Sequence, residues 1–427
     1  MNQEKKNLWS WLVYDFGNSF FITALSGLFL AQWLIIDNKL DDIWYGASFA
    51  IATVFVLITS PFLGAWSDKL GNRMFFIKWT TIGLVIFNGL MAFVAVSNIS
   101  LTHRVFIVLF LSMIVQYLYQ INLIFYNALL KNVSTEKNRG KISGLGEGIG
   151  SFGWLVAVLV LLPFANGVIT LFNNPGRSQV FLPAFIISTI LMLPLVLWFK
   201  EKKDIQAEDK EVVNNKKISQ KTWQGIKELF RKNKNVGIYL LGFSLISDIV
   251  ITINLYFAVV MDSIYKISDN MKSVFLGITL ISTTIFAYFF GKLGDRYGYR
   301  VIILLTCLVL IIVDLLFFLA SSQWVLYLVT IVGGAGVGGY YSVTKAMMVK
   351  ISPPEQLGEY FGFYSTFQKF ASIIAPLIWG GVVLLLKYDN VLKYRVAGLV
   401  MVVLLIIGTI VIMKTKEEKP AVQPIHI

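Results

Sequence analysis

Long uninterrupted apolar runs decide most of what this chain can fold into. Twelve of them, at about 10–36, 45–67, 75–96, 105–129, 141–163, 179–198, 237–262, 273–292, 301–320, 324–345, 359–386 and 394–413, match the roughly 20 residues that a helix needs to cross a hydrocarbon core about 30 Å thick. Lipid offers no partner to a backbone N–H or C=O, so each run must close its hydrogen bonds internally, as a helix. Only 14% of the 427 residues are charged, against about 25% in soluble domains. The first run starts after Met1-Asn2-Gln3-Glu4-Lys5-Lys6 and carries Asp15 and Asn18 without a small-residue cleavage site. It is therefore expected to persist as a helix rather than to be removed as a leader.

The formal charge of +13 is explained by topology and not by nucleic acid. Lys and Arg gather on the side of the membrane that holds both termini, which places that side in the cytoplasm, here of a bacterial inner (cell) membrane. Cys307 is the single cysteine, and His103 and His426 lie far apart. No disulfide within the chain, metal cluster or Cys/His nucleophile is expected, nor any cofactor.

A ten-residue pattern appears twice, each time after an apolar run. Gly64-Ala65-Trp66-Ser67-Asp68-Lys69-Leu70-Gly71-Asn72-Arg73 returns as Gly291-Lys292-Leu293-Gly294-Asp295-Arg296-Tyr297-Gly298-Tyr299-Arg300. Both copies fall on the same edge of the membrane, one after the second run and one after the eighth, so the chain reads as two copies of one half. The expected organisation is a six-helix bundle over 1–199, a cytoplasmic linker over 200–235, a second bundle over 236–413 and a tail over 414–427. Within the linker, Trp223, Ile226, Leu229 and Phe230 recur at helical spacing. They predict an amphipathic helix that either lies on the inner membrane surface or packs on its own domain.

Six helices, a linker and six more, with a matched motif in each half, resemble the major facilitator superfamily, whose halves rock about a midplane site. A closer resemblance, to the autophagy-related vacuolar amino-acid effluxers and their bacterial relatives, rests on five segments. These are Tyr14-Asp15-Phe16-Gly17-Asn18-Ser19, Phe125-Tyr126-Asn127-Ala128-Leu129-Leu130, Ile142-Ser143-Gly144-Leu145-Gly146, Gly358-Glu359-Tyr360-Phe361-Gly362-Phe363-Tyr364 and Ala375-Pro376. The resemblance implies an all-α membrane protein of twelve transmembrane helices in two pseudo-symmetric bundles. It also implies that Gly64, Asp68, Lys69, Gly71 and Arg73, with Gly291, Asp295, Arg296, Gly298 and Arg300, latch the cytoplasmic side. The alternative is that these bases only hold loops inside. After Gly146 the family carries an aromatic residue, whereas this chain has Glu147, a further candidate for proton coupling or substrate selectivity, which weakens the transfer of a substrate.

Charges inside membrane helices cost about 2.5–3.5 kcal/mol each on the insertion scale, so each needs a reason. Asp15 shares a helix face with Asn18 and Ser19 and is expected to face the protein interior, as a route-lining or a structural carboxylate. Asp248 shares a face with Ser244, Thr252 and Tyr256. An isolated carboxylate near the midplane, costly in its charged form, suits a proton or a cationic group. Gln116, Gln120 and Asn127, with Tyr119 and Tyr126 nearby, suit a small polar solute or else bond neighbouring helices. The glycines from Gly333 to Gly339 permit bending or close packing. Lys345 is expected to snorkel, and Lys369 to contact an anion or an acidic residue. Asp314, mid-helix in the ninth run, has two open readings, a neutral carboxyl bonded to a neighbouring helix or a coupling role.

The expected function is a non-enzymatic secondary transporter of a small polar solute, amino acids or related compounds, working by alternating access with proton coupling. A non-transporting sensor or scaffold on the same fold, and an exporter of lipidic or drug-like compounds, are the alternatives. The expected partners are the solute, protons and the lipid bilayer, without nucleic acid, and a monomer suffices.

Overall fold

The computed structural model describes residues 2–24, 28–134, 139–172, 176–201, 229–231, 233–352, 357–370, 372–386, 389 and 391–417. Among them every regular element is helical. In the first compact unit, residues 1–220, α1 is Gln3–Ile22, followed by Phe29–Gln32 and a π-helical turn at Trp33–Asp37. Then come α2 (Asp42–Leu70), α3 (Arg73–Val96), α4 (Leu101–Ala128), α5 (Arg139–Ala165) and α6 (Phe181–Trp198). In the second, residues 221–427, α7 is Lys234–Tyr265, α8 Asp269–Tyr297, α9 Tyr299–Leu319 and α10 Val325–Ile351. The pieces Leu357–Phe370 and Ile374–Leu385 form α11, and Leu392–Met413 forms α12. Among the described residues ten helices are long and apolar enough to cross a membrane. The first helix is not one of them because it carries Glu4, Lys5, Lys6 and Asp15, and the eleventh because it is divided.

Large apolar side chains such as Phe55, Trp79, Phe93, Phe110 and Ile190 stay exposed. That is the pattern of helices whose outer faces meet lipid rather than water. The internal repeat reappears in the packing. In the first unit α1 packs on α5 and α6, α4 on α2 and α3, and α3 on α6. In the second, α7 packs on α11 and α12, α10 on α8 and α9, and α9 on α12. Each pairing in one half has its counterpart in the other, so the chain is two pseudo-symmetric six-helix bundles.

Glycine sets the distance between many of these pairs. Without a hydrophobic drive between helices in lipid, small residues let backbones approach and van der Waals contact holds them. A Cβ on Gly338 of α10 would lie 2.1 Å from the Thr283 carbonyl oxygen of α8, and one on Gly334 would lie 2.5 Å from that of Thr279. Hydroxyls finish the seam: Ser282 donates to the Ile331 carbonyl (2.5 Å), Thr283 to Gly334 (3.0 Å) and Ser342 to Ala287 (2.8 Å). Gly336 instead accommodates Leu310 of α9, and Gly339 both Phe290 of α8 and Thr306 of α9. The glycine run of α10 thus serves close approach on two sides. In the first unit Gly146, Gly150 and Gly153 of α5 form a similar seam against Trp11, Asp15, Phe16 and Ser19 of α1.

Of the linker, residues 202–228 lie outside the description, including Trp223 and Ile226 of the expected amphipathic helix. Leu229 is buried, and the Phe230 ring covers Gly237 at the start of α7. This last turn therefore packs on its own domain.

Gly338→Ala forces a methyl against backbone that cannot swing aside, and overpacking of this kind costs about 1–3 kcal/mol. Thermal unfolding of the purified protein should fall clearly for Gly338→Ala. It should stay near wild type for Gly381→Ala, where an added Cβ meets nothing within 4 Å.

Candidate functional site

The polar stripe of α1 meets α5. Ser19 Oγ donates to the Gly150 carbonyl (2.8 Å), and a Cβ on Gly150 would sit 2.6 Å from Asp15 Oδ2. The Asp15 carboxylate therefore lies directly over the α5 backbone, half-buried, at a place only glycine leaves open. One turn on, Asn18 is 2% exposed and both its amide atoms lack a hydrogen-bond partner among the described residues. An unmade bond at a buried amide costs about 1–3 kcal/mol. The expectation of an interior-facing stripe holds.

The second unit repeats the arrangement with a difference. Asp248 on α7 leans on α11, as Asp15 leans on α5, but here α11 is interrupted and restarts at Ile374. Asp248 Oδ2 accepts the Ala375 backbone N–H at 2.9 Å, which caps the new helix start. The position suits an anion, since the first amides of a helix have no internal partner and carry partial positive charge. Oδ1 is buried without a partner among the described residues. Asp248 is thus not the isolated carboxylate that its sequence context suggests. One oxygen is fixed by the backbone and the other is available to a proton or a cation.

The rest of that stripe also points at α11. Ser244 Oγ donates to the Phe367 carbonyl (3.0 Å), and Tyr256 stacks on Trp379 with ring centroids 5.0 Å apart. Thr252 turns back to the Asp248 carbonyl (2.7 Å).

The amides of α4 do not converge. Gln116 borders a small pocket with Leu30, Tyr45, Ser48 and Ser112, Gln120 donates to Thr53 Oγ1 (3.2 Å), and Asn127 is exposed. Eleven residues turn an α-helix through slightly more than three turns, and a helix this long meets different neighbours along its length. Tyr126 is structural: its hydroxyl donates to the Trp11 carbonyl (2.9 Å), and its ring stacks on Trp11. The amide at the centre of this bundle is instead Asn122, which accepts from Tyr14 (2.9 Å) and donates to Thr80 (2.9 Å) and Thr81 (3.1 Å). Its position among apolar residues gave the only sequence signal.

A second group absent from the sequence reading is Lys272. It is fully buried and paired with Asp262 (2.7 Å) and Asp269 (2.9 Å) across the α7–α8 turn. In sequence it stands at the edge of an apolar run and reads as a loop base. Lys345 is exposed on α10, where it can snorkel. The side chains of Asp68, Lys69, Glu147 and Lys369 lie outside the described residues.

Both copies of the repeated motif form tight interhelical turns. Gly71 ends α2 at φ 58° and Gly298 ends α8 at φ 95°, conformations that side chains resist. Each turn is held by a glutamate beyond the last helix of its own half. Glu201, after α6, accepts the Met74 N–H (2.9 Å) and lies 4.0 Å from Arg73. Glu417, after α12, accepts the N–H groups of Tyr299 (3.0 Å) and Arg300 (2.6 Å) and pairs with Lys350 (2.9 Å). Arg300 donates to the Met413 carbonyl (2.5 Å), and Asp295 accepts from the Tyr299 hydroxyl (2.6 Å). Among the described residues no Cβ neighbour crowds Gly64, whereas Gly291 sits 3.0 Å from Ser342 Oγ by the same measure. Loss of a helix cap costs about 0.5–2 kcal/mol. Glu417→Ala should therefore lower the unfolding temperature of the purified protein, and Glu417→Gln, which keeps an acceptor but loses the charge, should fall between.

The geometry agrees with comparisons to known proteins. The Major Facilitator Superfamily model matches residues 11–262 and 238–426. The uncharacterized MFS-type transporter YxiO of Bacillus subtilis is 22% identical, over 96% of this chain and 94% of that one. Multidrug resistance protein MdtG of Salmonella arizonae is 22% identical over 82% and 81%. Among solved structures, the nucleoside transporter NupG superposes with a TM-score of 0.71 at 15% identity, covering 97% of this chain and 99% of that one. A bacterial homolog to the human lysosomal transporter Spinster gives 0.72 at 13%, covering 96% of both. With paired six-helix bundles, a duplicated turn motif and a family match over nearly its whole length, the chain is a multi-pass membrane protein belonging to the Major Facilitator Superfamily.

Proposed function

We propose that this transporter carries a small polar solute, of the amino-acid class or related compounds, by alternating access of its two halves with proton coupling. The observation that supports coupling is Asp248: a buried carboxylate on α7 with one oxygen tied to the restart of α11 and the other unpartnered. A group so placed changes its hold on a neighbouring helix when it gains or loses a proton, which is the link a coupled carrier needs. Asp15 and Asn18 supply an acid and a buried amide in the other half, a pair suited to an ammonium and a carboxylate. The amino-acid class rests on the resemblance of five segments to the vacuolar effluxers.

In this reading the protein sits as a monomer in a bacterial inner membrane with both termini in the cytoplasm, and no chemical conversion is involved. A second reading, export of drug-like compounds, is favoured by the relatives described as multidrug resistance proteins.

Uptake of a panel of labelled amino acids, nucleosides and aromatic drugs into proteoliposomes, with and without a pH gradient, decides between these. Binding without transport of any of them would make the protein a sensor on the same fold. Asp248→Asn should reduce gradient-driven accumulation about tenfold or more while largely sparing counterflow exchange, since one 1.4 kcal/mol change in coupling is a factor of ten. Equal loss of both would assign Asp248 to solute binding or to folding.

The repeated motif is proposed to latch the cytoplasmic side. Asp68→Asn should shift the labelling of single cysteines toward cytoplasmic exposure, and unchanged labelling in a well-expressed variant would count against the latch.

A further inference from the structure

The second bundle contains a partly open pocket of ≈ 60 Å³ between α7, α8, α9 and α10. Its wall is mostly apolar. Asp314, from the middle of α9, stands in this wall. The residue is 8% exposed and, unlike the other buried carboxylates of this half, has no hydrogen bond or ion pair among the described residues. Asp248 caps a helix and Asp269 holds Lys272, whereas Asp314 lines the pocket.

The other polar groups on the wall are mainly acceptors: both threonine hydroxyl donors and one of the two Asn254 amide hydrogens are already committed. Thr279 Oγ1 donates to the Phe275 carbonyl (2.9 Å) and Thr330 Oγ1 to that of Leu326 (2.7 Å). Asn254 Nδ2 donates to the Val250 carbonyl (2.8 Å). A hydroxyl has one donor and two acceptor sites, and an amide oxygen only accepts. What faces a ligand is therefore a carboxylate, three neutral acceptors and one remaining N–H of the Asn254 amide. Such a set disfavours anions, offers a zwitterion's carboxylate a single amide N–H and fits best a ligand that brings its own N–H groups. Phe257 and Phe317 add aromatic rings to the same wall, with centroids 5.5 Å apart, and ring faces attract cations.

We propose that this pocket is a binding site for amphipathic organic ammonium compounds, a protonated primary or secondary amine on an aromatic body, with Asp314 as the counter-ion. A charge buried in the bundle without a partner is costly, and an ammonium that brings its own apolar body removes that cost while filling the cavity. The site lies within one half and goes beyond the coupling role proposed for Asp248, so it stands or falls separately from the solute reading.

The test is equilibrium binding of 2-(1-naphthyl)ethylamine and of its uncharged N-acetyl derivative to the purified full chain in nanodiscs. Wild type should bind the amine about tenfold or more tightly than the acetylated compound, the scale of a hydrogen bond to a charged group. Asp314→Asn should erase that preference, and Asp314→Glu should retain most of it. Val337→Phe, which fills the pocket and leaves the carboxylate in place, should weaken binding of both compounds and decides the matter if Asp314→Asn does not fold. Equal binding of the two compounds by wild type, an unchanged preference in Asp314→Asn, or undiminished binding by Val337→Phe would overturn the proposal.

Discussion

Close approach of helix backbones at glycine seams is the constraint on which the rest of this structure depends. In lipid an apolar side chain gains little by leaving one apolar neighbour for another, so helices associate where small residues let their backbones touch. The Gly334–Gly338 seam brings α10 onto α8 so tightly that a single methyl would collide with a carbonyl. The seam of Gly146, Gly150 and Gly153 does the same for α5 against α1. Because the backbones are that near, serine and threonine hydroxyls reach the carbonyls of the neighbouring helix, and side chains that would be costly in lipid acquire partners.

The acidic groups follow from that geometry. Asp15 lies over Gly150, Asp248 caps the restart of α11, and Glu201 and Glu417 cap the helices that follow the two motif turns. In three of these four cases the partner is a helix start, where unpaired amides and the helix dipole favour negative charge. The same device serves different ends. At the membrane edge it secures a turn, and at Asp248 it ties a titratable group to a helix break. Asp314 stands outside this pattern, since among the described residues it meets neither a helix start nor a base and it lines a cavity.

Much of the fold was legible in the sequence, and the reasons are physical. Run length counts membrane crossings, and the twelve runs correspond to twelve helical spans. The twin copies of the motif announce the duplication, and Gly71 and Gly298 announce the turns because few other residues accept positive φ. The site was legible in part. Helical periodicity correctly grouped Asp15 with Ser19, and Asp248 with Ser244 and Tyr256. It failed for Gln116, Gln120 and Asn127, which share a spacing but not a neighbour. It also passed over Lys272, Asn122, Glu201 and Glu417, whose partners lie on other helices or just past a helix end.

The amino-acid sequence by itself determined the class, the number of crossings, the two-half plan and the residues that share each helix face, because all of these depend on local length and period. Only the tertiary structure decided which neighbour each face meets. It turned the stripes of α1 and α7 toward α5 and α11, gave Asp248 a helix start to cap and left Asp314 facing a cavity. A helix period fixes direction around one axis, whereas a partner is fixed by where the other axes lie, and that follows from the packing of whole bundles.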